Sequence, residues 1–549
     1  MFVTKLRQNL YAPALLFILE LIILVPQSRF DPESHHDGVM FGAAIAVKDG
    51  LIPNRDVFAQ YGPFTPLLQG YWLKLTGPHL INLRILSAIL LSITGLLLYL
   101  ILQKYFSTSL AFLSSLAWCI TYPRYVLPPN LPWASIVSTL ITLGAMYSLV
   151  DSWKSIYTSS PRGKNLFFAA LLLTLGFSIR IQLAVTILLP TLLILLNLMK
   201  IEKKCKVLIS WGSGIAIGSL TTLSYLLQNS ALVSYLNQVL IWPARFYVKP
   251  VDLSDPGQII ELALLLLFPF FFIIFSFMLQ KLGKKRKSII LFWFTTCFIT
   301  AFASLAKIEH KSYLNPSYLV TALSQEFFQM LGYASVSFII GIFLILTLKG
   351  YFRNFSPITL IAVASIIQLY PLHDALHLWW VTPIFLSAAA PILKEKLSNY
   401  RAAETPLKIL MVGLLSSGLF LTAHYVNIER IDSKSLILSN MVGTRENILP
   451  MDEFISSVNA IPKSSKAIFE CSDGLYAVAD GSYLASDLNF YFAPIGLVNE
   501  YQDNDIIIRC RLSKSELLEI RSLGKFQILN QSIFEDGHVN VIMRFKNQE

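Results

Sequence analysis

Three observations predict a polytopic α-helical membrane protein with roughly thirteen transmembrane helices and a small soluble α/β domain at its C-terminal end. Apolar runs of about 18 residues or more, enough to cross a hydrocarbon core as helices, recur over the first four-fifths of the chain. The 549 residues are 54% hydrophobic and only 14% charged, too little charge to hydrate a soluble protein of this size. Near residue 430 the composition changes to mixed charge with short β-rich runs.

The hydropathy pattern places spans near 10–27, 82–103, 108–121, 133–151, 165–180, 182–199, 207–228, 258–280, 288–306, 330–348, 357–371, 376–393 and 407–426. No small-residue cleavage site follows the first, which reads as a retained span rather than a removed signal. With the N-terminus in the cytoplasm, alternate short loops hold the basic residues, among them Lys104, Arg162, Lys164, the Lys200–Lys206 cluster, Lys281–Lys287, Lys349 and Lys394–Arg401. The opposite loops hold almost none, which sets the orientation. The formal net charge of +11 is explained by these loops and implies no nucleic-acid partner.

This topology sends residues 28–81, 229–257, 307–329 and everything after about 428 to the outer face, and all eight histidines with them. The division is a membrane domain over 1–428, containing the first outer loop 28–81, and an outer soluble domain over 429–549. The location is a bacterial inner (plasma) membrane, crossed many times. Glu20, in the first span, is a functional candidate by its position in hydrocarbon, with a protonated helix residue as the alternative. In the soluble domain, Asp505–Arg509 and Val539–Arg544 read as strands and Ser513 with Glu516 as a capping box. Cys471 and Cys510 are disulfide candidates in an oxidising compartment. Its aromatic residues, Tyr476 and Tyr483 among them, read first as core.

Charge gathers in the first outer loop, where Arg29-Phe-Asp-Pro-Glu-Ser-His-His-Asp-Gly38 follows the first span directly. An apolar pattern at Val39, Met40, Ala43, Ala44 and Val47 predicts a short amphipathic helix in the interface. After Asn54-Arg55-Asp56, Tyr61-Gly-Pro63 introduces a second helix with Tyr71 and Trp72 at interfacial depth. Arg180 lies in Gly176-Phe-Ser-Ile-Arg-Ile-Gln182, a break between two apolar runs whose far ends are both basic. Asp374 and His377, in Tyr370-Pro-Leu-His-Asp-Ala-Leu-His-Leu378, share a helix face at i, i+3.

The loop's carboxylates, the Tyr-Gly-Pro element, the Leu75-Thr-Gly77 end before the second span and the Asp374-x-x-His377-Leu motif together resemble the GT-C glycosyltransferases. The likeness is to the bacterial branch related to protein mannosyltransferases and the lipid A aminoarabinose transferase, and it extends over most of the chain. It implies a sugar donor carried on a polyprenyl phosphate, a lipid, glycan or protein acceptor, and a carboxylate base that abstracts the acceptor's hydroxyl proton, with inversion at the anomeric carbon. Asp37, which stands at the start of the interfacial helix, then Asp31, then Glu33 are the candidates for that base. The family's adjacent Asp-Glu pair is here split as Asp31-Pro-Glu33. Substrate contacts are expected from His35, His36, Arg55, Asp56, Tyr61, Arg180, Gln182, Asp374 and His377, with Arg180 facing the lipid phosphate. No cofactor is implied with certainty; a divalent metal ion on Asp37 and His36 is one option. Arg55, Arg245, Lys249 and Lys307 are lesser candidates for facing the lipid phosphate. A transporter or lipid flippase of envelope glycan precursors, or a non-catalytic subunit of the same fold, stands as the alternative.

Overall fold

The apolar runs fold into helices that carry several prolines within them, Pro13, Pro190, Pro383 and Pro391 among them. The structure, a computed structural model, describes residues 2–122, 130–157, 160–241, 357–369 and 375–397, parts of 404–419, most of 433–462, then 467–470, 475–478, 503–534 and 537–546. The expected spans 258–280, 288–306 and 330–348 lie outside the described residues, as do Asp374, Cys471, Arg245, Lys249 and Lys307.

Helix α1 covers Phe2–Gln27, α4 Leu80–Leu102, α5 Thr108–Ile120, α6 Ala134–Val150, α7 Gly163–Leu175, α8 Ala184–Leu196 and α9 Lys204–Gln228. The loop expected on the outer face folds as α2, His36–Lys48, and α3, Phe64–Thr76. A short α10, Leu232–Leu236, runs into a π turn over Asn237–Ile241; α11, Pro357–Ser365, and α12, Ala375–Leu397, complete the described helical body. Among the described residues α4 and α9 are long and apolar enough to cross a membrane, and Tyr11–Gln27, Thr108–Ile120, Ala134–Val150 and Ile181–Leu196 are shorter apolar helices. Outward faces carry uncovered apolar side chains, including Ile18 and Ile22 on α1, Leu188 and Leu195 on α8, and Ile209 and Leu220 on α9. Such a belt suits lipid contact and would be costly in water.

The bundle is fastened at specific points. Trp118 of α5 and Trp379 of α12 stack with ring centroids 4.8 Å apart, and each indole N–H donates to the other residue's carbonyl. Asn130 donates to the Leu24 carbonyl at the end of α1 and to Ser28 Oγ. These contacts tie α5 to α12, and the segment before α6 to the end of α1.

The C-terminal part forms a four-stranded sheet in the order β3-β4-β6-β5, from Ala467–Glu470, Ile506–Leu512, Val539–Phe545 and Phe526–Ile533. Strand β3 pairs parallel with β4, and the other neighbours are antiparallel. Helix α13, Arg445–Asn459, the single turn α14, Leu475–Val478, and α15, Lys514–Ser522, accompany it. Ser513 and Glu516 form the expected capping box. A two-residue ribbon pairs β1, Ser433–Lys434, with β2, Val442–Gly443.

This sheet layer is built onto the first loop. Phe41, Ala44, Ile45, Leu73, Leu80 and Leu83 share one apolar core with Phe454, Leu475, Tyr476 and Ile508. Phe30 bridges to Val442, and the Leu475 N–H donates to the Ser34 carbonyl at 3.1 Å. Helix α2 therefore differs from the expected one-faced interfacial helix. Nine of its thirteen residues are buried, because its small side chains let α3 and the C-terminal layer approach from both sides. Helix α3 keeps Tyr71 and Leu75 uncovered.

Candidate functional site

The loop that enters α2 must turn sharply between α1 and the C-terminal layer. Asp31 takes a positive φ of 45°, with its N–H donating to the Val442 carbonyl at 2.9 Å. A non-glycine residue held there costs about 1–3 kcal/mol, met here by bonds on several sides. The strongest is Arg84, near the start of α4. Its guanidinium bonds both oxygens of Asp37, Nε at 3.0 Å from Oδ1, and also the carbonyls of Phe30 and Asp31. Asp37 and Arg84 are both fully buried. The Glu33 N–H donates to Asp37 Oδ2 at 2.9 Å. Burial pushes the Asp37 carboxyl up, and the charge and hydrogen bonds of Arg84 oppose that push.

This geometry revises the order of the three carboxylates. Asp37, placed first on sequence, has its oxygens committed and no surface open to a substrate. Asp31 and Glu33 keep partial exposure. Glu33 Oε2 accepts from the His36 backbone N–H and lies 2.9 Å from His36 Nδ1, while Arg511 of β4 approaches Oε1 at 3.4 Å. Burial pushes the Glu33 carboxyl up, but the hydrogen bonds and charge of His36 outweigh it and hold the group down at about 2. Of the pair weighed as metal ligands, Asp37 bonds Arg84 and the Glu33 N–H, and His36 Nδ1 faces Glu33. Among the described residues no group of three or more His, Cys, Asp or Glu is arranged around a cation.

The second half of the site comes from the break after α7. Tyr61-Gly-Pro63 sits directly on it. Gly62 has φ 114°, and a Cβ there would meet the Ser178 carbonyl oxygen at 2.6 Å, so only glycine admits this approach. The contact brings the Tyr61 ring under Arg180, whose Cζ lies 5.0 Å from the ring centroid. Arg180 is buried and donates to Ser135 Oγ in the first turn of α6 at 2.9 Å. Tyr61 packs edge-on against Trp133, and Trp133 against His36 at 5.3 Å, so Arg180 and the Glu33–His36 pair belong to one continuous wall.

The first two turns of α6 complete that wall. Ser138 donates to Gln368 Oε1 at 2.8 Å, and Thr139 to the Trp380 carbonyl of α12 at 3.0 Å. His377 lies edge-on to Trp380, with ring centroids 5.2 Å apart. Trp133 Nε1, Gln368 Nε2 and Trp380 Nε1 are buried donors with no hydrogen-bond partner among the described residues. Orphaned buried donors cost roughly 1–3 kcal/mol each, and three around one helix start, next to a buried arginine, are what an anionic or hydroxyl-rich ligand would satisfy.

The remaining expected residues fall as follows. His35 stacks edge-on to His36 at 4.8 Å. Gln182 is half-buried in the turn Ile181–Leu183. Arg55 and Asp56 pair with each other on an exposed turn, where Arg55 holds the Asp56 carboxyl below its usual range. Glu20 is fully buried on α1, with its carboxylate in the space that a Cβ on Gly95 of α4 would occupy. Cys510 is buried and disulfide-bonded, and its expected partner Cys471 lies outside the described residues.

Arg84, Trp133, Gln368, Trp380 and Arg511 were not singled out by sequence. Arg84 had a signal, a lone arginine five residues into an apolar helix, where an unpaired charge is expensive. The others depend on contacts between distant segments.

No family model and no curated protein matches this chain. Among solved structures it is similar to the oligosaccharyltransferase of Archaeoglobus fulgidus in complex with zinc and sulfate, at 12% identity and a TM-score of 0.48, over 86% of this chain and 62% of the other. It is similar to the same organism's AglB in complex with an inhibitory peptide and a dolichol-phosphate, at 13% and 0.47, over 87% and 65%. It is also similar to ArnT of Cupriavidus metallidurans bound to undecaprenyl phosphate, at 9% and 0.43, over 98% and 99%. The chain spans less than two thirds of the length of the two oligosaccharyltransferase structures.

Proposed function

We propose that this chain is a membrane glycosyltransferase that moves a sugar from a polyprenyl-phosphate donor to a lipid, glycan or protein acceptor at the outer face of the inner membrane. One observation carries the reading. A buried arginine and three unpartnered buried donors surround the start of α6, and the half-open acidic loop stands against them through Tyr61 and Trp133.

The chemistry follows from charge. When the anomeric carbon leaves a lipid phosphate, negative charge develops on the bridging oxygen, and a guanidinium with forked donors in a poorly hydrated site stabilises it. Arg180 has that role, with Tyr61 holding its lower face. The Trp133, Gln368 and Trp380 N–H groups donate to phosphate or sugar oxygens. A base on the opposite side takes the acceptor hydroxyl's proton, and displacement from that side inverts the anomeric centre. Glu33 and Asp31 are the carboxylates with access. No step is assigned to a metal ion.

A carrier or flippase reading draws on Glu20, a fully buried carboxylate in α1. One experiment separates the two. Purified protein is given defined polyprenyl-phosphate sugars and mixed envelope lipids and glycans, and both freed polyprenyl phosphate and donor movement across vesicles are followed. Sugar transfer with release of polyprenyl phosphate, lost in Arg180→Ala, is expected. Donor movement across vesicles with no release would replace the transferase reading by the carrier.

A further inference from the structure

The first loop holds a pair that carboxylates alone do not explain. Glu33 Oε2 lies 2.9 Å from His36 Nδ1, and this contact fixes the imidazole's orientation. Opposite an ionised carboxylate, Nδ1 carries the proton and Nε2 presents its lone pair. Nε2 makes no hydrogen bond among the described residues, and the His36 side chain keeps 30% of its exposure. Its ring packs on Trp133, which leads through Tyr61 to Arg180. The groups facing the pair are His35 edge-on at 4.8 Å, Arg511 from β4 on the second Glu33 oxygen, and Asp37, whose charge is met by Arg84 of α4. Asp37 has no open surface from which to take a proton.

We infer that His36, oriented by Glu33, is the group that takes the proton of the acceptor hydroxyl, with Glu33 acting through it rather than directly. This rests on the transferase reading. As the acceptor oxygen bonds the anomeric carbon, its proton moves to His36 Nε2. The bond from that carbon to the phosphate oxygen breaks, and its electron pair leaves with the polyprenyl phosphate. His36 becomes an imidazolium facing the Glu33 carboxylate, and returns its proton to water.

The test is the pH dependence of kcat/KM for transfer from a synthetic polyprenyl-phosphate sugar, with binding of labelled polyprenyl phosphate as the check on folding. The wild type should gain rate with rising pH and reach a plateau. His36→Gln should lose that limb and roughly 100-fold in kcat while still binding the lipid phosphate. Glu33→Gln removes the anion that stabilises the imidazolium, so its limb should move to lower pH with a reduced rate. A wild-type rate and limb in His36→Gln would overturn the assignment. If His36→Gln does not fold, an unmoved limb in Glu33→Gln would overturn it instead. A wild type that frees no polyprenyl phosphate would remove the transferase reading and this inference with it, a result distinct from an active enzyme indifferent to His36.

Discussion

Two acids four residues apart on one loop have opposite surroundings. Asp37 is sealed; Arg84 and a backbone N–H meet its oxygens, and no solvent reaches it. Glu33 is half-open and shared between His36 of its own loop and Arg511 of the C-terminal sheet. A carboxylate that is saturated and buried holds a structure in place, whereas one that orients a partly exposed imidazole is placed for chemistry. The difference teaches that closeness to an interfacial helix start, which ranked Asp37 first on sequence, is a weaker guide than what occupies its oxygens.

The comparison breaks most visibly at Arg84. Arg84→Met leaves Asp37 buried without its charge partner, and should cost about 3–5 kcal/mol of stability, read as a fall in the thermal midpoint in detergent. Adding Asp37→Leu should recover much of that loss, which a catalytic role for the pair would not predict. On the half-open side, the Glu33 carboxyl is held at about 2 against roughly 4.3 in an unfolded chain. Its folded value is depressed, so its contribution is fully present above about pH 4.3 and is lost as pH falls toward 2. Acidification through that window should weaken the hold of Glu33 on His36 within the first loop, seen as a fall in the thermal midpoint in detergent, and Glu33→Gln should remove this pH dependence.

Gly62→Ala sharpens the comparison from the frame. An added Cβ against the Ser178 carbonyl should cost about 1–3 kcal/mol and draw Tyr61 away from Arg180, raising the KM for donor without touching the acidic loop. The smallest effect is expected at Arg511, whose pair with Glu33 is nearly half exposed at the arginine. Arg511→Ala should change stability by less than about 1 kcal/mol, measured by denaturant titration.

Much of the helical frame was legible in the sequence. The described helices from α4 to α9 begin and end within a few residues of the apolar runs, since a long apolar run in lipid has few alternatives to helix. The capping box and the β4 and β6 strands were equally readable, being local patterns. The site was half legible. Tyr61-Gly-Pro63 and the Arg180 break stood out because glycine, proline and arginine are conspicuous among apolar residues, and the structure does bring them together. Arg511 was not legible. It lies 478 positions from Glu33, at φ 58° on the bulge of β4 between Arg509 and Leu512, with its N–H donating to Asn540 Oδ1. A strained bulge that re-aims one side chain leaves no periodic mark. Trp133 was not legible either, because its contacts with Tyr61 and His36 join distant segments.

The account's central claim, that the lipid phosphate of the donor sits against Arg180 at the start of α6, is tested most directly by photo-crosslinking the purified protein with a diazirine-bearing polyprenyl phosphate and mapping the labelled peptides. Label on the segments around 133–139 and 176–183, abolished by Arg180→Ala and competed by unlabelled polyprenyl phosphate, is the predicted result. Label confined to the lipid-facing sides of α8 and α9, and indifferent to Arg180→Ala, would contradict it.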